Sequence, residues 1–397
     1  MGRPFGGGQA AVEVALAVVP LLVVAGAALY LRVQHRRYGR PHGPPGRLTA
    51  AALVTGVALA AYAVWPLPAS ADGLCTGNGS AGGWSAAPFG GPTAGGGPPH
   101  TAWDAALALG LFTAVGLLAR HRFRRGPVAT LAIGAALAAS VAAVRATGVL
   151  GLYPCAYAPA SVLLVALGVV GTLAGWTAAR RLLPLWPGGP ARGWPAAVPD
   201  RVDPALDRRM TGALLDLGLW WFGASAATAL LHASGVVLPL AGGRTAEAAL
   251  LGLALVGAVV LPQLRSDRAT PGPAAVGLAL GERGSPRPAS RWRVLLRTLL
   301  LQAPVAVLVA LGLPWAALAV AALHACTALV RPDRAGLADL VCGVRVRTRS
   351  SLDGGLPSRL VRYSEPRAEP RPEPPPAPPG PRGTRPSARR GSPGGGR

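Results

Sequence analysis

Nine apolar runs, near 10–31, 48–67, 102–119, 127–144, 160–178, 211–232, 245–263, 294–312 and 315–330, constrain this 397-residue chain more than any other feature. Crossing a bilayer as a helix takes about 20 residues. Inside hydrocarbon each backbone N–H and C=O must find its partner within the segment, which leaves helices as the economical solution. Composition agrees: 51% of the residues are hydrophobic and only 14% charged, a balance outside the range of ordinary soluble domains. The expectation is an all-α, polytopic membrane bundle of about nine helices. Gly312-Leu313-Pro314, between the last two runs, reads either as a tight turn or as the bend in one long helix.

The net charge of +23 comes from arginine alone, since the chain has no lysine. With so much Ala, Gly and Pro beside it, this reads as biased residue usage rather than nucleic-acid binding. Position is more informative. Arg32, Arg36, Arg37, Arg40 and Arg47 follow the first run, whereas loop 68–101 has no arginine. Arg120, Arg122, Arg124 and Arg125 are then set against Arg145 alone; Arg180, Arg181, Arg192, Arg201, Arg208 and Arg209 against Arg244 alone; and further arginines follow from Arg265 to Arg293. Cytoplasmic loops are enriched in arginine and lysine, so the alternation predicts a multi-pass cell-membrane protein with its N-terminus outside and its C-terminus in the cytoplasm. The first run ends in arginines, without a small-residue cleavage site, so no cleavable signal is expected.

One run carries a carboxylate. Arg208-Arg209-Met210-Thr211-Gly212-Ala213-Leu214-Leu215-Asp216 opens the sixth span, and an Asp near the centre of a membrane helix costs about 2.5 to 3.5 kcal/mol on insertion scales. Arg209 and Asp216 lie about 10 Å apart along a helix axis, so each needs a partner from another element. Arg297 and Asp339 are the candidates, and Arg209, Asp216, Arg297 and Asp339 form the candidate polar cluster. Three roles are open to it: an ion-pair network that fixes helix packing, a proton or cation site, and a lipid-headgroup site.

Arg209, Asp216 and the Asp339 of Arg334-Ala335-Gly336-Leu337-Ala338-Asp339-Leu340-Val341-Cys342-Gly343-Val344-Arg345-Val346 resemble the arginine and two aspartates of RDD-family membrane proteins. Arg268-Ala269-Thr270-Pro271-Gly272 with Gly277-Leu278 is similar to that family's TPG loop, and Arg291 to Arg297 to its return into the membrane. Where family members often carry a His before the second Asp, this chain has Ala338. The resemblance implies an RDD-like membrane domain over 208–347, of a family whose biochemical activity is mostly undefined. Residues 10–178 resemble the VanZ-like family in its high-GC Gram-positive bacterial form, through Arg37-Tyr38-Gly39-Arg40, Trp65-Pro66-Leu67-Pro68, Cys75, Pro88-Phe89 and Thr147 to Tyr157. That family's acidic and polar positions read here as Ala142, Arg145, Ser161, Leu163 and Leu164, implying a degenerate five-helix module. A proline-rich cytoplasmic linker, 179–207, joins the modules. A tail, 348–397, rich in Pro, Gly and Arg is expected to be disordered.

Cys75 and Cys155 fall on the predicted outer side, where a disulfide is one reading and two unrelated thiols the other; Cys326 and Cys342 read as buried small apolar residues. Paired close spacings for a metal are missing, as are GxSxG, HExxH and GxxxxGK[ST], so no catalytic, cofactor or metal residues are assigned and the chain reads as a non-enzyme. Glu13, Glu247 and His324 read as structural, and the tryptophans as interfacial anchors. Expected partners are membrane lipids, with a homo-oligomer or other membrane proteins beside them. Three functions follow: a structural or accessory membrane protein, an ion- or proton-coupled transporter using Asp216, Arg209 and Asp339, and an envelope-lipid or glycopeptide-resistance role for the VanZ-like half.

Overall fold

The computed structural model describes residues 9–41, 43–64, 84–85, 101–152, 160–182, 197–200, 202–235, 245–331 and 334–353. The proposed Cys75–Cys155 bridge, most of loop 68–101, the middle of the linker and nearly all of the tail fall outside them. The described chain is an all-α membrane-type bundle. Its long helices are α1 (Gln9–Tyr38), α2 (Gly43–Val64), α3 (Thr101–His121), α4 (Pro127–Ala146), α5 (Val162–Leu182), α6 (Leu206–Ala233), α7 (Thr245–Leu264) and α9 (Arg291–Ala310). All eight are long and apolar enough to cross a membrane. The ninth apolar run forms α10 (Pro314–Val330), of only 17 residues. It is separated from α9 by a turn in which Gly312 has φ +73°, so the alternative of one long bent helix does not hold.

α3 and α5 run parallel in close contact. Gly171 faces Leu109 and Phe112, Gly175 faces Thr113 and Leu117, and the Trp176 indole reaches the Arg125 carbonyl at 3.1 Å. A Cβ at Gly175 would strike the Thr113 carbonyl oxygen, so only glycine lets the two backbones meet here, the small-residue packing that membrane helices use in place of a hydrophobic driving force. α1 lies principally along α6, with Val14 and Ala17 packed on Ala226 and Ala229 at one end and Leu31 beside Leu215 at the other.

Over the α1–α6 end sits a small polar-edged cap. After α7 the chain forms the short helix α8 (Pro271–Ala275) and the strand β1 (Leu278–Glu282); after α10 it forms α11 (Leu337–Val341), β2 (Val344–Thr348) and α12 (Arg349–Asp353). β1 and β2 pair antiparallel, Leu278 opposite Thr348 and Glu282 opposite Val344. In β2 valine and arginine alternate, and the valines are buried while the arginines are partly exposed, as expected of a sheet with one covered face. Val276, Leu278, Val294 and Val344 form the floor of the cap on Leu31 and Leu215.

α7 and α9 are each interrupted by a π-helical turn, Val256–Val260 and Thr298–Gln302. In both, a proline follows two residues on, Pro262 and Pro304. Proline donates no N–H, so the Ala258 carbonyl lacks the α-helical partner that residue 262 would supply, and the Thr298 hydroxyl of α9 lies 3.0 Å from it and equally 3.0 Å from the Val294 carbonyl of its own helix, sharing one proton between them.

Two expectations are corrected. Cys326 is exposed, on the outward face of α10 with Leu323, Leu329 and Val330; a lipid-facing position suits a small apolar thiol as well as a core does. Trp220 is not an interfacial anchor: it is 9% exposed and packs inside the bundle with Ala254, Ala258 and Ala306.

Gly175→Leu is expected to destabilise the protein by about 1–3 kcal/mol or more, the usual range for overpacking. Thermal unfolding in detergent should show the loss, whereas Gly56→Leu, where an added Cβ meets nothing within 4 Å, should change little.

Candidate functional site

α6 presents an i+4 ridge of buried residues, Arg208, Gly212, Asp216, Trp220 and Ala224, and both ends of the cap are built onto its first half. Asp216 is 4% exposed. Its Oδ1 accepts the Gly272 backbone N–H at 2.6 Å and its Oδ2 accepts the Thr270 hydroxyl. The Thr270-Pro271-Gly272 loop is thus a receptor for this carboxylate: Thr270 precedes α8, Pro271 occupies its first position, and Gly272 lies so close to α6 that a Cβ would meet the Gly212 carbonyl and the Asp216 N at 2.7 Å. Hydrogen bonds to a charged group contribute about 1.5–3 kcal/mol each, enough together to offset the insertion cost of the aspartate.

Asp339, 1% exposed at the start of α11, takes Arg297 Nε at 2.5 Å on Oδ1 and the Gly336 N–H at 3.3 Å on Oδ2. His324 of α10 stands beside it, with Nε2 3.8 Å from Oδ2 and Nδ1 accepting the Ala338 N–H at 3.3 Å. Burial opposes the Asp339 charge, but the Arg297 guanidinium, His324 and the Gly336 N–H outweigh it and hold the carboxyl below its ordinary range. Arg209 donates to the carbonyls of Arg334 and, at 3.3 Å, Val346; it lies within electrostatic reach of Asp339 and Arg297.

Of the four residues singled out in the sequence, Arg297 and Asp339 are therefore an ion pair, Arg209 stands near them while bonding to backbone, and Asp216 is bonded to the Thr270 loop with the Arg297 charge acting on it from a distance. Arg209 and Asp216 do not bond each other.

Two side chains at the site lie outside the candidate cluster read from the sequence. Arg208, next to Arg209, is buried and donates to Asp200 at 2.9 and 3.3 Å, to the Val276 carbonyl at 2.5 Å and to the Gly277 carbonyl at 3.2 Å, tying the segment before α6 to the cap. His324 is the other; nothing local marks it, because its partner comes from the next helix. In the connection before α8, Asp267 binds Arg265 at 2.8 and 2.6 Å and accepts the Ala269 N–H. Burial opposes its charge, but Arg265, Ala269 and the Arg349 charge overcome that and lower its pKa.

Further into the bundle, two polar atoms have no hydrogen-bond partner among the described residues: the Trp220 indole N–H and the Gln302 side-chain oxygen. Trp220 packs on Gly257 of the first π turn, and Gln302 ends the second. A groove of about 200 Å³ on α9, lined by Trp292, Arg293, Leu296 and Leu299, is apolar and open, the character of a lipid-facing surface. No cluster of three metal-ligating side chains occurs among the described residues.

Comparisons with protein-family models, curated proteins and solved structures find no match to this chain.

Two outcomes are expected. Thr270→Val leaves a buried carboxylate oxygen without its donor and should cost about 1–3 kcal/mol in detergent unfolding, while Thr270→Val/Asp216→Leu should recover part of the loss. Asp267 titrates lower in the folded state than its ordinary 3.8, so its contribution is present above that value and is lost as pH falls through the folded pKa. Acid unfolding of Asp267→Asn should accordingly be less steep below about pH 4 than that of the parent protein.

Proposed function

We propose that this chain is a non-enzymatic, multi-pass membrane protein of the RDD type, structural or accessory to another membrane process, with its cap on the cytoplasmic side. The observation that supports this reading is the saturation of the buried carboxylates: Asp216 and Asp339 each have both oxygens engaged by a side-chain donor and a backbone N–H. Groups so engaged act as clamps between helices and cap. The arginine alternation supports the orientation, since the ends of α1, α3 and α5 and the cap lie at the same end of the bundle.

A second reading, ion- or proton-coupled transport, is favoured by the paired π turns with unpartnered Trp220 and Gln302 atoms beside them. Interrupted helices inside a membrane commonly surround substrate or ion sites.

Flux measurements separate the two. The structural reading expects everted vesicles carrying the full chain to show the same proton and sodium fluxes as vesicles without it, and Asp216→Asn to change only stability. A flux above that background that Asp216→Asn abolishes, at unchanged protein level, would overturn it in favour of transport.

A further inference from the structure

The two halves of the bundle treat their arginines differently at the cap end. In the second half five arginines find carboxylates: Arg208 with Asp200 at 2.9 Å, Arg265 with Asp267 at 2.6 Å, Arg293 with Glu282 at 2.6 Å, Arg297 with Asp339 at 2.5 Å and Arg345 with Asp203 at 2.9 Å. In the first half this neutralisation is impossible from within, because the sequence contains no Asp or Glu from Val14 to Ala71 or from Ala105 to Pro199.

Connectivity brings those arginines together. Arg122, at the end of α3, is 2% exposed and donates to Gln34 of α1 at 2.5 Å and to Thr49 of α2 at 3.0 and 3.2 Å. The C-terminal end of α1, the start of α2 and the end of α3 are therefore neighbours. α5 runs parallel to α3, and Trp176 joins its last turns to the Arg125 carbonyl. The same indole lies 5.4 Å from the Arg120 guanidinium and 5.9 Å from that of Arg180. Arg32, Arg37, Arg47, Arg125, Arg180 and Arg181 are all exposed on this end.

The surroundings of the patch are apolar. Phe123 is 44% exposed, Val128 79% and Leu182 52%, next to these arginines in sequence. A row of guanidiniums bordered by outward aliphatic and aromatic side chains matches an amphiphile with an anionic head and hydrocarbon tails. Arg47 lies in the first turns of α2, and Arg180 and Arg181 in the last turn of α5. Guanidinium forks suit phosphate oxygens in particular.

We propose that the cap-side end of α1–α5 is a binding surface for anionic phospholipid headgroups, with the lipid phosphates supplying the counter-charge that the sequence of this half omits. In the second half five arginines already have carboxylate partners, so less of its cationic charge is left for lipid to balance. This surface is separate from the Asp216 and Asp339 clamps, so its failure would leave the proposed function standing.

The test uses the full chain, purified and placed in nanodiscs of phosphatidylcholine mixed with phosphatidylglycerol, with lipids retained after transfer to detergent counted by native mass spectrometry. Each arginine near an anionic surface contributes about 1 kcal/mol, or about fivefold, so Arg180→Gln/Arg181→Gln should lower phosphatidylglycerol retention by about thirtyfold relative to phosphatidylcholine. Arg287→Gln/Arg291→Gln, which removes two exposed arginines from the second half, should retain the preference, and Arg180→Lys/Arg181→Lys should restore most of it. Equal retention of both lipids by the parent chain would overturn the proposal and needs no variant. So would equal loss in both double-Gln variants, meaning diffuse attraction, or displacement of the lipid by inorganic phosphate, meaning a soluble-anion site.

Discussion

A carboxylate on α6 that faces protein instead of water has to be met by donors, and the position of those donors decides where the rest of the second half can go. Asp216 takes a hydroxyl from Thr270 and an N–H from Gly272, so the start of α8 is pinned about three helical turns into α6. From there the chain has only one short step to β1. β1 in turn holds β2 by a full set of ladder pairs, and β2 brings α11 and Asp339 back against Arg297 on α9. The cap is tied to the helices again by Arg208 at Val276 and Gly277, by Arg297 at Asp339 and by its apolar floor on Leu31 and Leu215, so the Asp216 contact sets its register and the others add to its hold. The insertion cost of the aspartate is balanced within the protein, and what the chain gains is a defined seat for the cap.

Buried charge also explains why the two halves differ in character. The second half meets its buried cations with local anions or with carbonyl oxygens, as Arg208 does with Asp200, Val276 and Gly277. Such a network carries directional information, since bidentate and backbone-directed bonds tolerate little displacement. The first half has no acid between Val14 and Ala71 or between Ala105 and Pro199, and relies there on close backbone approach at Gly175 and on neutral partners such as Gln34 and Thr49 for Arg122. Arg32, Arg37, Arg47, Arg125, Arg180 and Arg181 are exposed at the cap-side end, whereas Arg145 turns to the Tyr62 carbonyl and ring.

How much of this was legible in the sequence depends on the range of the interaction. Apolar length and the turn at Gly312-Leu313-Pro314 are local, and the helices follow them closely, except that most extend several residues beyond the apolar run because arginine-bearing ends such as Arg36-Arg37-Tyr38 still satisfy their backbones helically. The strand at Val344-Arg345-Val346-Arg347-Thr348 is absent from the all-helical expectation; its residues alternate as a strand's do, but its partner lies before α9 and α10, too far along the chain for a pattern to name. For the polar cluster, the sequence identified which residues are costly and not what meets them. Arg208 and Arg209 are adjacent and chemically identical, and only the helical angle at which each leaves α6 sends one to Asp200 and the other to the carbonyls of Arg334 and Val346. His324 occupies a place beside Asp339 while being distant in sequence, so a search for a histidine next to that aspartate reads Ala338 and misses it.

The π turns are the one feature in which two neighbouring helices share a defect. Each proline removes an N–H from its helix, and in the hydrocarbon layer the orphaned carbonyl needs a donor from elsewhere. Thr298 supplies one across the interface to Ala258, which fastens α9 to α7 at the point where each has lost an internal bond. A helix with a missing bond bends there more readily than elsewhere. Because this hydroxyl also lies 3.0 Å from the Val294 carbonyl of its own helix, bending one helix either carries the other along or leaves Thr298 bonded to Val294 alone. Trp220 and Gln302, with polar atoms unengaged at the same level, are the groups whose hydrogen bonding such a movement would change first. The stiffest part of the second half is thus the clamp at Asp216, and its most deformable part lies one to two turns deeper, along the same face of α6.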